Sequence, residues 1–314
     1  MSGSTGFLKI LVTGLIMGMA EVVPGISGGT VAFISGYYER LLTALSRIRF
    51  DLVRRLLRQG PLNVWQHLDG TFLMVLFGSM VVSVVAFAGL IKTALAEQPI
   101  MMWSFFFGLV LASSFLMLRQ VERKQAAQLI VLAVGLAVGL VLQRLVPVTV
   151  VPTPAMLFLG GAIAVCAWIL PGISGSFLLL LLGLYGGVID AVANLRLLEL
   201  APLGLGAVLG LIAFANVLKL LFHRAKDWIL MFLTGLMLGT LVRLWPWQQV
   251  LQYQLQAGAT EKRPLISEPV WPTAYESLTG QPAEVVLALS ALCVGGAAVV
   301  LFERFGVRTQ VGAV

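Results

Sequence analysis

The stretch Glu21-Val22-Val23-Pro24-Gly25-Ile26-Ser27-Gly28-Gly29-Thr30 is echoed 147 positions later by Trp168-Ile169-Leu170-Pro171-Gly172-Ile173-Ser174-Gly175-Ser176-Phe177. Pro-Gly-Ile-Ser-Gly is identical in both, and each copy is followed by a matching tail, Gly36-Tyr37-Tyr38 and Gly183-Leu184-Tyr185. Both copies interrupt strongly apolar sequence. A residue before proline disfavours helix, and proline lacks a backbone donor. The first apolar run, 7–23, therefore breaks at 23–25 and resumes over 26–42. The second breaks in the same way between 155–170 and 173–189.

Composition fixes the class around these breaks. Of 314 residues 59% are hydrophobic and 11% charged, and mean hydropathy is +0.97, values of an all-α polytopic membrane protein. Several runs reach the roughly 20 residues that a helix needs to cross a bilayer. They leave no stretch for a separate soluble domain, so 1–314 reads as one transmembrane domain. A net charge of +7 would suggest nucleic acid in a soluble chain. Here the basic residues flank apolar runs and read as topology anchors, with no nucleic-acid role. Cys166 and Cys293 lie inside apolar runs and read as small hydrophobes, not as a disulfide. Lys9 inside the first run, with no small-residue cleavage pattern, marks 7–23 as mature structure and not a signal peptide.

Further spans are expected at 71–91, 100–118, 127–145, 201–221, 228–246 and 284–302. Between 43 and 60, Leu45, Ile48, Leu52, Val53, Leu56 and Leu57 recur at helical spacing among Arg47, Arg49, Arg54, Arg55 and Arg58. That pattern predicts a basic amphipathic helix on anionic membrane lipids; a phosphate-collecting role is the competing reading. Residues 247–282 form a long polar connection whose Trp247, Tyr253, Trp271 and Tyr275 suit a bilayer interface. If each broken pair enters and leaves on one side, one face carries 15 of the 21 Lys and Arg residues and the other 6. The positive-inside rule then makes both termini cytoplasmic and 247–282 extracytoplasmic.

Gly108-Leu109-Val110-Leu111 resembles Gly235-Leu236-Met237-Leu238, now at an offset of 127. The 20-residue difference from 147 matches the basic insert at 43–60, which the second half lacks. Each half is thus a broken pair plus two spans, 7–118 and 155–246. The linking helix 127–145 inverts the second half relative to the first, and 284–302 is a last added span. Inverted repeats of this kind are a ground plan of secondary transporters. Charge bias and length leave open whether each broken pair is re-entrant or two full spans. Re-entrant hairpins from opposite faces bring both turns to the membrane middle, whereas full spans hold them at opposite surfaces; the re-entrant form is expected.

Two helix N-termini facing one point make an anion site, with phosphate as the natural occupant. The residues expected to form it are Gly25, Ser27, Gly28, Gly29 and Thr30 from the first copy and Gly172, Ser174, Gly175 and Ser176 from the second. Helix capping is the competing account of the serines. Glu21 has Trp168 as its counterpart, so it is the asymmetric element. An acid at this depth is costly, and beside phosphate its protonated form is favoured, which suits it to carry a coupling proton. A structural hydrogen bond to the broken backbone explains it equally well. Arg40 pairs with phosphate or snorkels to the interface; Lys219 snorkels, and Asn216 is a weak cavity candidate. Gly14/Gly18, Gly135/Gly139, Gly206/Gly210 and Gly235/Gly239 have the spacing of close helix contacts.

Only His67 and His223 are present, and no Asp, Glu, His or Cys cluster has metal-site spacing, so no enzyme, metal or cofactor is expected. With Gly18-Met19-Ala20 before Glu21, the paired motifs and tails resemble the bacterial polyprenyl-phosphate transporter family, over about 7–246. That resemblance implies translocation of undecaprenyl phosphate, a lipid carrier of cell-wall precursors, back across the bacterial cytoplasmic membrane. A carrier of a small soluble anion, or an enzyme acting on lipid phosphate, are the alternatives. A homo-oligomer is compatible with either reading, and the coupling ion stays open.

Overall fold

The computed structural model describes residues 3–22, 27–49, 51–122, 125–148, 150–194, 196–255 and 262–307. The chain is mostly helical. Its first part runs α1 (Gly3–Val22), α2 (Gly28–Ile34), α3 (Tyr38–Ser46), α4 (Asp51–Gln59), α5 (Pro61–His67), α6 (Gly70–Glu97) and α7 (Pro99–Arg119). A single helix, α8 (Ala126–Arg144), leads to α9 (Pro154–Ile169), α10 (Gly175–Leu181), α11 (Tyr185–Ala193) and α12 (Ala201–Thr240). An antiparallel hairpin, β1 (Gln248–Leu255) and β2 (Lys262–Pro269), then precedes α13 (Pro272–Thr279) and α14 (Val285–Val307). Among the described residues, five helices are long and apolar enough to cross a membrane: 70–97, 99–119, 126–144, 198–244 and 285–304.

Helices in lipid gain little from the hydrophobic effect, so close backbone packing and interhelical hydrogen bonds must hold them. All four expected glycine pairs lie at such contacts. Gly14 and Gly18 of α1 face Ser79 and Ser83 of α6, and the Ser83 hydroxyl donates to the Leu15 carbonyl at 2.6 Å. Gly135 and Gly139 of α8 meet Gly235 and Gly239 of α12 backbone to backbone. Gly206 and Gly210 of α12 press on Phe158 and Ala162 of α9. A further contact joins α7 to α14 through Gly108 and Gly295. Tyr38, Leu41, Leu42, Phe72, Leu76, Ile169 and Leu230 form the most deeply buried part of the core, which places α3 at the centre of the molecule.

The break at 23–25, with Pro24 and Gly25, lies outside the described residues. Other boundaries differ from the sequence reading. The runs 26–42 and 173–189 are not continuous: each turns after seven helical residues, and α10 and α11 meet at 114°. The tails explain why. Gly36 has φ +77° and Gly183 φ +70°. In the first tail Gly36 N–H donates to Phe33 O and Tyr37 N–H to Ala32 O; in the second Gly183 N–H donates to Leu180 O and Leu184 N–H to Leu179 O. Both are the same helix-ending motif, in which a left-handed glycine closes the last turn.

The spans 201–221 and 228–246 are two parts of α12, divided only by a non-helical Ala225 (φ −147°, ψ 44°). Ala225 falls in the gap expected between those two spans, so α12 is two helices joined across a kink. The 43–60 insert is the end of α3 followed by α4, not one helix, and α5 comes directly after it; Leu45 is core, while Leu56 and Leu57 of the insert and Leu62 and Trp65 of α5 are exposed. Residues 247–255 and 262–282 are structured. Trp247 is buried there, its indole donating to Ala283 O at 2.8 Å, so its ring packs inside the protein and anchors the hairpin; Trp271 is exposed. The Tyr253 side chain falls outside the described residues.

Candidate functional site

The two repeated motifs touch. Ser27 precedes α2 in extended backbone, and its Oγ accepts from Gly29 N at 3.1 Å, so it is a helix cap. The same hydroxyl donates to the Trp168 carbonyl at 2.8 Å, across 141 residues. Tyr38, at the start of α3, donates its hydroxyl to the Ile169 carbonyl at 3.0 Å. Both acceptors belong to the last turn of α9, where carbonyls have no intrahelical partner. The first copy therefore satisfies the open end of the helix that leads into the second. Thr30 completes the junction, its Oγ1 accepting from Gly172 N at 3.3 Å. Gly29 must lack a side chain here: a Cβ would lie 2.5 Å from the Ile169 oxygen.

Each second arm also folds back onto its first arm, in matching register. Gly28 packs against Met17 and Glu21 of α1, and Gly175 against Ala164 and Trp168 of α9. Positions 17, 21 and 28 plus 147 are 164, 168 and 175, so the packing repeats together with the sequence.

Of the two readings of Glu21, the structure shows the hydrogen bond to the backbone. Its Oε1 accepts from Gly28 N at 2.5 Å, the structural bond to the broken backbone. The Trp168 side chain, its own counterpart, lies beside the same carboxylate. A carboxylate of the chain itself thus occupies the start of α2. Of the other α2 amides, Gly29 N–H goes to Ser27 Oγ and Thr30 N–H to Ser27 O. The second copy is more open: α10 has no side-chain cap, Ser174 Oγ shares a 2.8 Å hydrogen bond with Ser176 Oγ, and Gly172 takes φ +92°. Ser27, Gly28, Gly29, Thr30, Gly172, Ser174 and Gly175 are buried, and Ser176 is exposed.

Arg40 stands apart from this cluster. Its guanidinium forms a two-pronged pair with Asp69 (2.6 and 3.0 Å) and lies 4.3 Å from the Phe72 ring centre. Lys219 reaches Ser46 Oγ and Asn216 accepts from Arg49, both at 3.4 Å, which ties α12 to the end of α3. Gly25 lies outside the described residues. Tyr38 was quoted in the sequence motif without a role, and no side-chain pattern pointed to the Trp168 and Ile169 carbonyls. The signal for Tyr38 was its recurrence as Tyr185. Among the described residues, no group of three or more His, Cys, Asp or Glu side chains could hold a metal.

A family profile described as undecaprenyl phosphate translocase-like matches residues 17–262. A polyprenyl-phosphate transporter of Vibrio cholerae serotype O1 is 42% identical over 306 residues, 97% of this chain and 99% of that protein. A polyprenyl-phosphate transporter of Staphylococcus aureus is 26% identical over 254 residues, 75% of this chain and 85% of that protein. No solved structure matches.

Proposed function

The chain belongs to the undecaprenyl phosphate translocase-like family, and from that premise we propose that it carries a polyprenyl phosphate such as undecaprenyl phosphate across the cytoplasmic membrane by alternating access around its paired turns. The observation that carries this reading is the direct junction of the two motifs through Ser27, Thr30 and Tyr38. Irregular backbone inside a bilayer is tolerated against protein or a water-filled cavity, and re-entrant hairpins of an inverted repeat meet at such a place.

The phosphate site consists of Ser27, Gly28, Gly29 and Thr30 with Gly172, Ser174, Gly175 and Ser176, joined by Gly25. Each Ser or Thr hydroxyl can turn its proton toward a phosphate oxygen, and hydrogen bonds to a charged group are worth about 1.5–3 kcal/mol each. Glu21 competes with the cargo, because its carboxylate holds the Gly28 amide that phosphate would use. Protonation of Glu21 weakens that hold and removes the repulsion between two anions, which makes it the coupling candidate. Arg40 joins only if phosphate displaces Asp69. The prenyl tail stays in lipid beside the hairpins. The exposed Leu56, Leu57, Leu62 and Trp65, with Arg54 and Arg58, rest on the anionic leaflet.

Leaflet-resolved transport of undecaprenyl phosphate in proteoliposomes tests this. Wild type is expected to exceed empty vesicles, and Ser27→Ala/Ser174→Ala to fall at least about tenfold, the worth of one charged hydrogen bond. Equal rates with and without protein would refute the function; an unchanged double variant would refute the site.

A further inference from the structure

The contacts between the motifs are not reciprocal. Ser27 and Tyr38 bond the carbonyls of Trp168 and Ile169 at the end of α9. Adding or subtracting 147 gives the mirror set: Ser174 and Tyr185 on the carbonyls of Glu21 and Val22 at the end of α1. Among the described residues neither mirror bond is made. Ser174 pairs with Ser176 instead, and Tyr185 is partly exposed where Tyr38 is 2% exposed. Yet the parts for the mirror junction are present: the same serine, the same tyrosine, the same glycine-closed turn before it, and a helix end at the matching position. Two near-equivalent halves that adopt unequal arrangements generate a second state by exchanging them.

We infer that Tyr38 and Tyr185 are a matched pair of positioning residues that hold opposite-facing states. Tyr38, with Ser27, fixes the present state on the end of α9. Tyr185, with Ser174, fixes the other on the end of α1. This rests on the proposed inverted-repeat transport cycle and names the bonds it exchanges. With one tyrosine docked in each state, as Tyr38 alone is here, each hydroxyl stabilises one state at the expense of the other.

The test uses full-length protein lacking Cys166 and Cys293 and carrying Phe177→Cys, a partly exposed position in the first turn of α10. Labelling by a membrane-impermeant maleimide is measured in vesicles of both orientations, and the ratio of rates from the two faces is the readout. Tyr38→Phe and Tyr185→Phe are expected to move that ratio in opposite directions, each about fivefold, the population worth of one hydrogen bond. The double variant is expected to return it toward the parent value. Shifts of the same sign, or no shift in either variant, overturn the inference, since a merely structural role has no reason to oppose the two. Should Tyr38→Phe fail to fold, Ser27→Ala and Ser174→Ala must give the same opposed pattern. Labelling needs no cargo, so the result stands apart from the identity of the transported lipid.

Discussion

At the residue scale, the decisive group is a carboxylate that already occupies a helix start. Glu21 accepts from Gly28 N–H, and Gln at 21 keeps that acceptor while Ala removes it. An unpartnered buried amide costs about 1–3 kcal/mol. Glu21→Ala is therefore expected to lower thermal stability in detergent by that amount and Glu21→Gln to leave it nearly unchanged, while both slow transport. Equal destabilisation by the two would reduce Glu21 to a role in charge alone. Asp69 offers a second balance of magnitudes. It takes φ +54°, a left-handed conformation that costs a side chain about 1–2 kcal/mol. Its pair with Arg40 is solvent-exposed and worth about 1 kcal/mol at most. Asp69→Gly relieves the first and loses the second, so its stability should stay within about 1 kcal/mol of the parent. Asp69→Ala loses the pair and keeps the strain, so it should fall below Asp69→Gly in the same unfolding assay. Neither Asp69 nor its strain was legible in the sequence, because the pair joins positions 40 and 69 across two intervening helices.

At the element scale, hydrophobic patterning located the spans and missed the turns inside them. A helix that turns within apolar sequence leaves no polar signature; only Gly36 and Gly183 mark it, and in sequence they stand only as matching tails with no conformation assigned. The hairpin at 248–269 was missed for the opposite reason, since its polar residues look like a loop when no buried face is assigned. Glycine pairs, in contrast, were legible at once, because close approach demands one residue type at one spacing. Gly235 lies against the Leu132 carbonyl, whereas Gly204, on the same helix, has open space within 4 Å. Gly235→Val is expected to destabilise the α8–α12 contact by about 1–3 kcal/mol, the usual cost of overpacking. Gly204→Val should be tolerated apart from a small propensity change. Monodisperse elution of detergent-solubilised protein distinguishes the two, and equal behaviour would detach stability from this contact.

At the scale of the whole molecule, the open question is how often α12 crosses. A straight helix of its 40 residues would be about 60 Å long, twice the hydrocarbon thickness of about 30 Å. The one non-helical residue, Ala225, sits among Lys219, Arg224 and Lys226, a cluster that the positive-inside rule assigns to the cytoplasm. Lys226 also pairs with Glu39 of α3 at 2.9 Å, and α3 runs directly toward the basic α4. These observations agree if the chain reaches the cytoplasmic face at Ala225 and returns, so that α12 supplies two crossings. Parity then fixes the rest. From α4, three crossings through α6, α7 and α8 reach the far side; the broken pair returns to that side; the two parts of α12 leave it and come back. On that count we propose that the hairpin and α13 are extracytoplasmic. On a background lacking Cys166 and Cys293, Arg58→Cys and Arg224→Cys should react with an impermeant thiol reagent only in inside-out vesicles. Ser277→Cys on α13 should react only in right-side-out ones. A single crossing by α12 would instead place Ser277 on the face of Arg58, and the two thiols would label together.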